Sequence, residues 1–321
     1  METRFVIILI LVNFSTAFWN GNKCPDAFSI LPCSCKPNNE GKSIITCERV
    51  ECGEELLSAV ISAKRKKIFM VQLKAVSFMF FPNELFKDTK IKVLTIHDSS
   101  IFSLGESKSA FTGLEDSLKA LEVSNCSFVN NWEWSELSKM KKLSYLKISS
   151  SELFELPNLN ISHLPIEDLN FRDNFIRKLP SLAFNKFTQL KRLTLDNNYI
   201  RSVERSMLPT PAKNLEAIGL SYNKIKMLYT NTFEQLPALK YLYLGGNPIK
   251  TLNEDVFRPI WSQLQMALFQ DCPLICDCRI AWITTAKQAR VVLMSGKCNS
   301  PENFKEKRIT QLLPAHFQSC L

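Results

Sequence analysis

The sequence is short of the residues that most enzyme chemistry needs. Histidine occurs 3 times in 321 residues, at His97, His163 and His316, with no zinc-protease, haem or deaminase spacing. No Gly-x-Ser-x-Gly elbow and no glycine-rich phosphate loop is present, so the usual hydrolase and nucleotide-binding signatures are missing. Glycine itself is scarce, with 9 residues, which argues against a low-complexity or linker-rich chain. Apolar runs are short: Phe5 to Val12 is far too brief to cross about 30 Å of hydrocarbon. With Arg4 before it and Ser15-Thr16-Ala17 after it, that run reads as a secretory signal peptide over residues 1–17. A signal anchor is the alternative reading. No membrane span and no lipid-anchor tail is expected, and the mature protein should be released. Neither catalysis nor a cofactor or metal is expected.

What the chain has is one pattern written nine times, L-x-x-L-x-L-x-x-N/C-x-L, restarting every 23 to 27 residues. "LKRLTLDNNYI" (Leu190 to Ile200), "LEAIGLSYNKI" (Leu215 to Ile225) and "LKYLYLGGNPI" (Leu239 to Ile249) are the clearest copies; the others start at Ile68, Ile91, Leu118, Leu143, Ile166 and Leu264. A fixed period of this length marks a leucine-rich-repeat solenoid, whose units stack because none can close a core alone. The fold class is an α/β-type solenoid dominated by β: a horseshoe with a parallel concave sheet, an irregular or 3-10 convex side, and caps at both ends. The expected divisions are a front cap over 18–67, nine repeats over 68–274 and a rear cap over 275–321.

Inside each copy the L-x-L core has period two, so Leu193 and Leu195 point inward while Thr194 points out. Nine such strands would make a sheet about 40 Å long. Asn174, Asn198, Asn223 and Asn247 occupy the turn after the strand, where a buried amide can satisfy backbone groups that would each cost about 1–3 kcal/mol unpaired. Cys126, Cys272, Ser99 and Ser151 substitute for it, and Val76 breaks the ladder. Phe86, Ile161, Phe184, Leu208, Phe233 and Phe257 recur further on and read as the convex spine of the core. Trp132 and Trp134 read as convex packing too, with partial exposure as the alternative.

The 11 cysteines cluster at the two ends, 5 between Cys24 and Cys52 and 4 between Cys276 and Cys320. In an exported chain this is a disulfide framework before it is a zinc site built from Cys33, Cys35, Cys276 and Cys278. An odd total leaves one over, Cys52, as a buried thiol or as a bridge to another subunit. The net charge of +9 draws the chain to anionic partners, sulfated glycans among them, while export makes nucleic acid a poor partner. The basic run Lys64 to Lys67 is a heparin-like contact or a solvated loop.

The strand residues that point outward define the surface for a protein partner. Tyr145, Lys147, Arg172 and Arg192 lie in a charged central zone with Asp168, Asp173 and Asp196, whose carboxylates are expected to pair across strands with Arg172 and Arg192. Tyr241, Tyr243, Met266 and Leu268 form a late zone beside Gly219 and Gly245, with the composition of an interface hot spot. Asn125 and Asn160 open N-x-S/T sequons. Asn160 is the better glycan candidate, because Cys126 sits at a buried ladder position.

"CPDAFSILPCSC", "CPLICDCRIAWI" and the later Cys298 and Cys320 resemble the flanking caps of extracellular leucine-rich-repeat proteins. That resemblance implies first-to-third and second-to-fourth pairing, hence Cys24–Cys35, Cys33–Cys47, Cys276–Cys298 and Cys278–Cys320. With "ITCERVECGEELLSAV" and "AFTGLEDSLKALEVSNC", the whole is similar to the arthropod family related to the non-catalytic subunit of oplophorus luciferase. The resemblance implies a secreted, non-enzymatic protein-binding scaffold, an accessory subunit to another secreted chain. A matrix or cell-surface adhesion protein acting through glycans is one alternative, and a recognition protein of innate defence is another.

Overall fold

The computed structural model describes residues 24–105, 109–129, 132–156, 161, 163–286 and 293–320. The expected signal peptide and Asn160 lie outside them. Twelve strands form one sheet whose spatial order follows the chain: β1 Ser34–Pro37, β2 Ser43–Glu48, β3 Ile68–Lys74, β4 Val93–His97, β5 Ala120–Ser124, β6 Tyr145–Ser149, β7 Asp168–Asn170, β8 Arg192–Thr194, β9 Ala217–Gly219, β10 Tyr241–Tyr243, β11 Met266–Leu268 and β12 Leu293–Ser295. Among the described residues only the β1–β2 pair of this sheet is antiparallel. The sheet therefore exceeds the nine strands expected from the repeats. Two strands of the front cap and one of the rear cap extend it to about 50 Å.

The sheet is built as the period-two pattern requires. Leu169, Leu193, Ile218 and Leu242 align from strand to strand and are buried, as are Phe171, Leu195, Leu220 and Leu244 after them. Each such side chain contributes about 1.5–3 kcal/mol on burial. The six spine residues Phe86, Ile161, Phe184, Leu208, Phe233 and Phe257 are buried in the same core. Opposite the sheet the chain runs through turns and short 3-10 segments such as Trp134–Leu137 and Arg205–Met207. One convex segment is a true helix of 8 residues, Glu254–Trp261.

The asparagine ladder couples neighbouring repeats. Asn198 Nδ2 donates to the carbonyls of Leu195 (3.1 Å) in its own repeat and Phe171 (2.9 Å) in the one before, and its Oδ1 accepts from Ile176 N (3.0 Å). Asn223 repeats this on Leu220, Leu195 and Ile200, and Asn247 on Leu244, Leu220 and Ile225. Thus a carbonyl such as Leu195's accepts from two successive asparagines. Cys126 Sγ reaches the Ile96 carbonyl at 3.5 Å and Cys272 Sγ that of Leu244 at 3.3 Å, so each thiol keeps part of the donor role. Where Val76 can do neither, its N–H donates to Ser99 Oγ of the next repeat at 3.1 Å.

The residue before each ladder position is left-handed, with φ from 50° to 69° at Ala75, Asp98, Asn125, Ser150, Asp173, Asn197, Tyr222, Gly246 and Asp271. Asp, Asn and Gly tolerate that conformation best, which accounts for most of the column.

Four disulfides close the ends: Cys24–Cys35, Cys33–Cys47, Cys276–Cys298 and Cys278–Cys320. In the front cap an amphipathic helix, Gly53–Ala63, buries Leu56, Ala59, Val60 and Ala63 along one stripe. Cys52 precedes that helix and is exposed, which corrects the buried-thiol reading: the stripe that turns inward starts four residues later. At the rear, buried Trp282 donates its indole N–H to the Leu252 carbonyl at 2.8 Å and meets Trp261 edge-on at 4.8 Å.

Candidate binding surface

Parallel pairing sets the outward residues in two rows along the concave face. One runs Met70, Val93, Ala120, Tyr145, Asp168, Arg192, Ala217, Tyr241, Met266, Leu293; the other runs Gln72, Thr95, Glu122, Lys147, Asn170, Thr194, Gly219, Tyr243, Leu268, Ser295. Tyr241 stands beside Met266 and Tyr243 beside Leu268, so these four side chains form one contiguous, half-exposed patch. Leu293 of β12 extends it and is exposed, a contribution that the repeat pattern did not signal. Tyr145 and Lys147 lie four strand steps away, about 19 Å along the sheet. The candidate residues thus make two zones and not one site.

The central zone spends its charge internally. Lys147 Nζ sits 2.6 Å from Glu122 and Arg192 Nε 2.6 Å from Asp168, both across neighbouring strands. Arg172 does not pair across the sheet as expected; its Nε meets Asp173, the next residue, at 2.7 Å. The left-handed backbone at Asp173 is the reason, since it turns the carboxylate back beside the guanidinium. Asp196 is the strained member: burial raises its carboxyl above the usual carboxylate range, against the Ser221 N–H at 2.6 Å and the nearby Arg172, which pull it down.

In the late zone Tyr241 donates to Gln265 Oε1 at 3.0 Å, which fixes the ring's tilt. Burial, then Tyr241 and Asp196, raise the Tyr243 hydroxyl's pKa, so it stays a neutral donor. The two small residues are there for space. A Cβ on Gly219 would lie 2.6 Å from the Asp196 carboxylate, and one on Gly245 2.6 Å from the Gln270 side chain. Gly219 therefore lets Asp196 lie over the strand beside the tyrosines.

The histidines remain apart: His97 bonds Ser124 across the sheet, His163 the Ser138 carbonyl and His316 the Leu313 N–H. His97 is half-buried. Trp132 is buried and Trp134 half-buried, joined edge-on to Phe128 and Phe171. Asn125 is exposed although Cys126 beside it is buried, and its amide donates to Asp98 at 2.7 Å. Among the described residues no helix is long and apolar enough to cross a membrane.

A parallel sheet, a ladder turn in successive repeats and a disulfide cap at each end define a leucine-rich-repeat solenoid of the capped kind. The leucine rich repeat family model matches residues 213–262. Over 94% of its length the chain is similar to the Oplophorus-luciferin 2-monooxygenase non-catalytic subunit of Oplophorus gracilirostris, at 23% identity and covering 89% of that protein. It is also similar to mouse Tsukushi, 30% identical over 42% of this chain, and to human podocan-like protein 1, 33% identical over 36%. The chain spans 38% and 22% of those two proteins.

Proposed function

We propose that this protein is a secreted scaffold that works by binding and not by bond chemistry, holding another protein on its concave face. The observation that carries this is the Tyr241, Tyr243, Met266 and Leu268 patch, where aromatic and sulfur side chains stand half-exposed on rigid adjacent strands. Rigid aromatic anchors on a preformed surface lose little entropy on binding. The disulfide caps support an oxidising, extracellular location. Similarity along nearly the whole chain to a non-catalytic subunit supports the finer reading, an accessory subunit for a separate catalytic chain.

The test uses the full chain as bait in the fluid of the tissue that secretes it, with Tyr241→Ala/Tyr243→Ala alongside. A stoichiometric companion captured by the parent and lost by the variant, at an unchanged thermal midpoint, is the expected result. Equal capture by both would remove the patch from the argument.

A further inference from the structure

A second surface lies on the flank of the solenoid, where each repeat leaves its ladder turn. There the pattern is ladder residue, outward, inward, outward. The inward residues Leu153, Ile176, Ile200, Ile225 and Ile249 are buried. Backbone bonds hold neighbouring flank segments side by side: Phe175 N to Leu153 O (2.8 Å), Tyr199 N to Ile176 O (2.9 Å) and Lys224 N to Ile200 O (2.8 Å). Outward residues of successive repeats are therefore in file.

Two files result. Phe175, Tyr199 and Lys224 follow one another in the first, behind the exposed Glu152, and Phe154, which heads the second, packs against Phe175. The rings of Phe154 and Phe175 stack at 5.3 Å and 18°, those of Phe175 and Tyr199 at 6.1 Å and 19°, and Lys224 Nζ lies 5.8 Å over Tyr199. All three rings are exposed, Phe154 by 57%. The second file is cationic in four consecutive repeats: Arg177, Arg201, Lys226 and Lys250, all exposed. A groove of about 800 Å³ lies between them, lined by Arg177, Tyr199, Arg201, Lys224, Lys226 and Met227, without a carboxylate. The concave cations Lys147 and Arg192 are neutralised by neighbours; among the described residues none of these five flank cations has an ion pair.

We propose that this flank groove binds a linear sulfated polysaccharide, laid along the solenoid axis with its sulfates on Arg177, Arg201, Lys226 and Lys250 and its sugar rings on the aromatic file. Charge repeated at a fixed interval matches a polyanion that carries charge along its length. The four disulfides mark an oxidising compartment, where sulfated glycans and not nucleic acid are the polyanions at hand. The exposed rings of Phe154, Phe175 and Tyr199 offer apolar surface to the C–H groups of sugar rings. A groove admits a linear chain but not the flat surface of a bilayer. The flank is a different face from the concave patch, so this inference is independent of the protein-binding reading.

A fluorescent heparin dodecasaccharide, titrated by anisotropy into the disulfide-intact chain, tests it. Arg177→Ala/Arg201→Ala/Lys226→Ala/Lys250→Ala should weaken binding by at least about tenfold and flatten its salt dependence, because fewer counterions are released. Phe175→Ser/Tyr199→Ser should weaken binding several-fold while leaving the salt slope as in the parent, which separates ring contact from charge alone. Lys64→Ala/Arg65→Ala/Lys67→Ala and Tyr241→Ala/Tyr243→Ala should bind as the parent does, and a desulfated chain should not bind. Parent-like affinity in the fourfold variant would overturn the proposal, as would transfer of the loss to the Lys64–Lys67 variant. Full competition by anionic phospholipid vesicles or by single-stranded DNA of equal charge would overturn it too. Circular dichroism of each variant identifies any that fails to fold; every one of these side chains is exposed or half-exposed, so none is expected to.

Discussion

Replacing Asn198 by alanine tests the ladder at its centre. The side chain is buried and makes contacts in two repeats, but they are not equally dependent on it. The Phe171 carbonyl keeps Asn174 as a donor, the Leu195 carbonyl keeps Asn223, and the Asp196 carbonyl keeps the Asp173 N–H. The Ile176 N–H has Asn198 Oδ1 as its partner, and alanine leaves it buried without one. That orphan costs about 1–3 kcal/mol. With the lost amide packing, the total should be about 2–4 kcal/mol. Asn198→Cys should cost less, because a thiol there reaches the carbonyls as Cys126 does, although it gives Ile176 no acceptor. Urea unfolding followed by far-ultraviolet circular dichroism, disulfides intact, measures the loss, and an unchanged m-value shows that the same surface unfolds. Hydrogen exchange should quicken first at Ile176. A loss below about 0.5 kcal/mol, or faster exchange that spares Ile176, would refute the ladder account.

Three other outcomes follow from the same structure. Folding raises the Asp196 carboxyl by burial, so its contribution to stability is fullest below the unfolded value of 3.8 and is lost as pH rises through the folded one. Asp196→Asn keeps an acceptor for the Ser221 N–H and should raise the thermal midpoint at neutral pH, with a gain that shrinks towards about pH 4. No gain at neutral pH would contradict this. The Cys278–Cys320 bridge spans 42 residues of sequence, worth about 4 kcal/mol in chain entropy. Cys278→Ser/Cys320→Ser should therefore expose the rear cap to limited proteolysis while leaving the repeats resistant. Burial pushes the Cys126 and Cys272 thiols up to about 11, leaving about 0.1% thiolate at pH 8, while Cys52 is exposed. A thiol reagent should count one cysteine in the native protein and three in denaturant; three in the native protein would contradict the burial.

The fold was legible because one rule repeats: leucines at period two and an amide at the turn leave little else for those residues to do. The additions came where the rule stops. β2 has the alternating pattern in "SIITCE" but lacks the repeat around it, and β12 follows a stretch with no leucine framework at all. Cys52 was misjudged because burial statistics for cysteine say nothing of where a helix turns its apolar stripe. Arg172 was misjudged because partner choice depended on the left-handed turn at Asp173. The flank files were readable in principle, from Phe175 and Tyr199 after their asparagines and from Arg177, Arg201, Lys226 and Lys250 two places on. Attention to strand residues alone hides them, since they lie past the part of the repeat that makes the sheet.

The ladder also gives the chain a direction in time. Asn198, Asn223 and Asn247 each accept an N–H from the repeat made before their own. A repeat leaving the ribosome therefore carries an unpaired amide until its successor has been synthesised, and the growing end is always one unit short of finished. After Asn247 the succession ends in Cys272, whose thiol donates to the Leu244 carbonyl but offers no amide oxygen, and buried Trp282 of the rear cap closes that end by donating its indole N–H to the Leu252 carbonyl. Vectorial synthesis and vertical stacking thus run in the same order, each new turn of the solenoid serving as the template's closing half for the one above it.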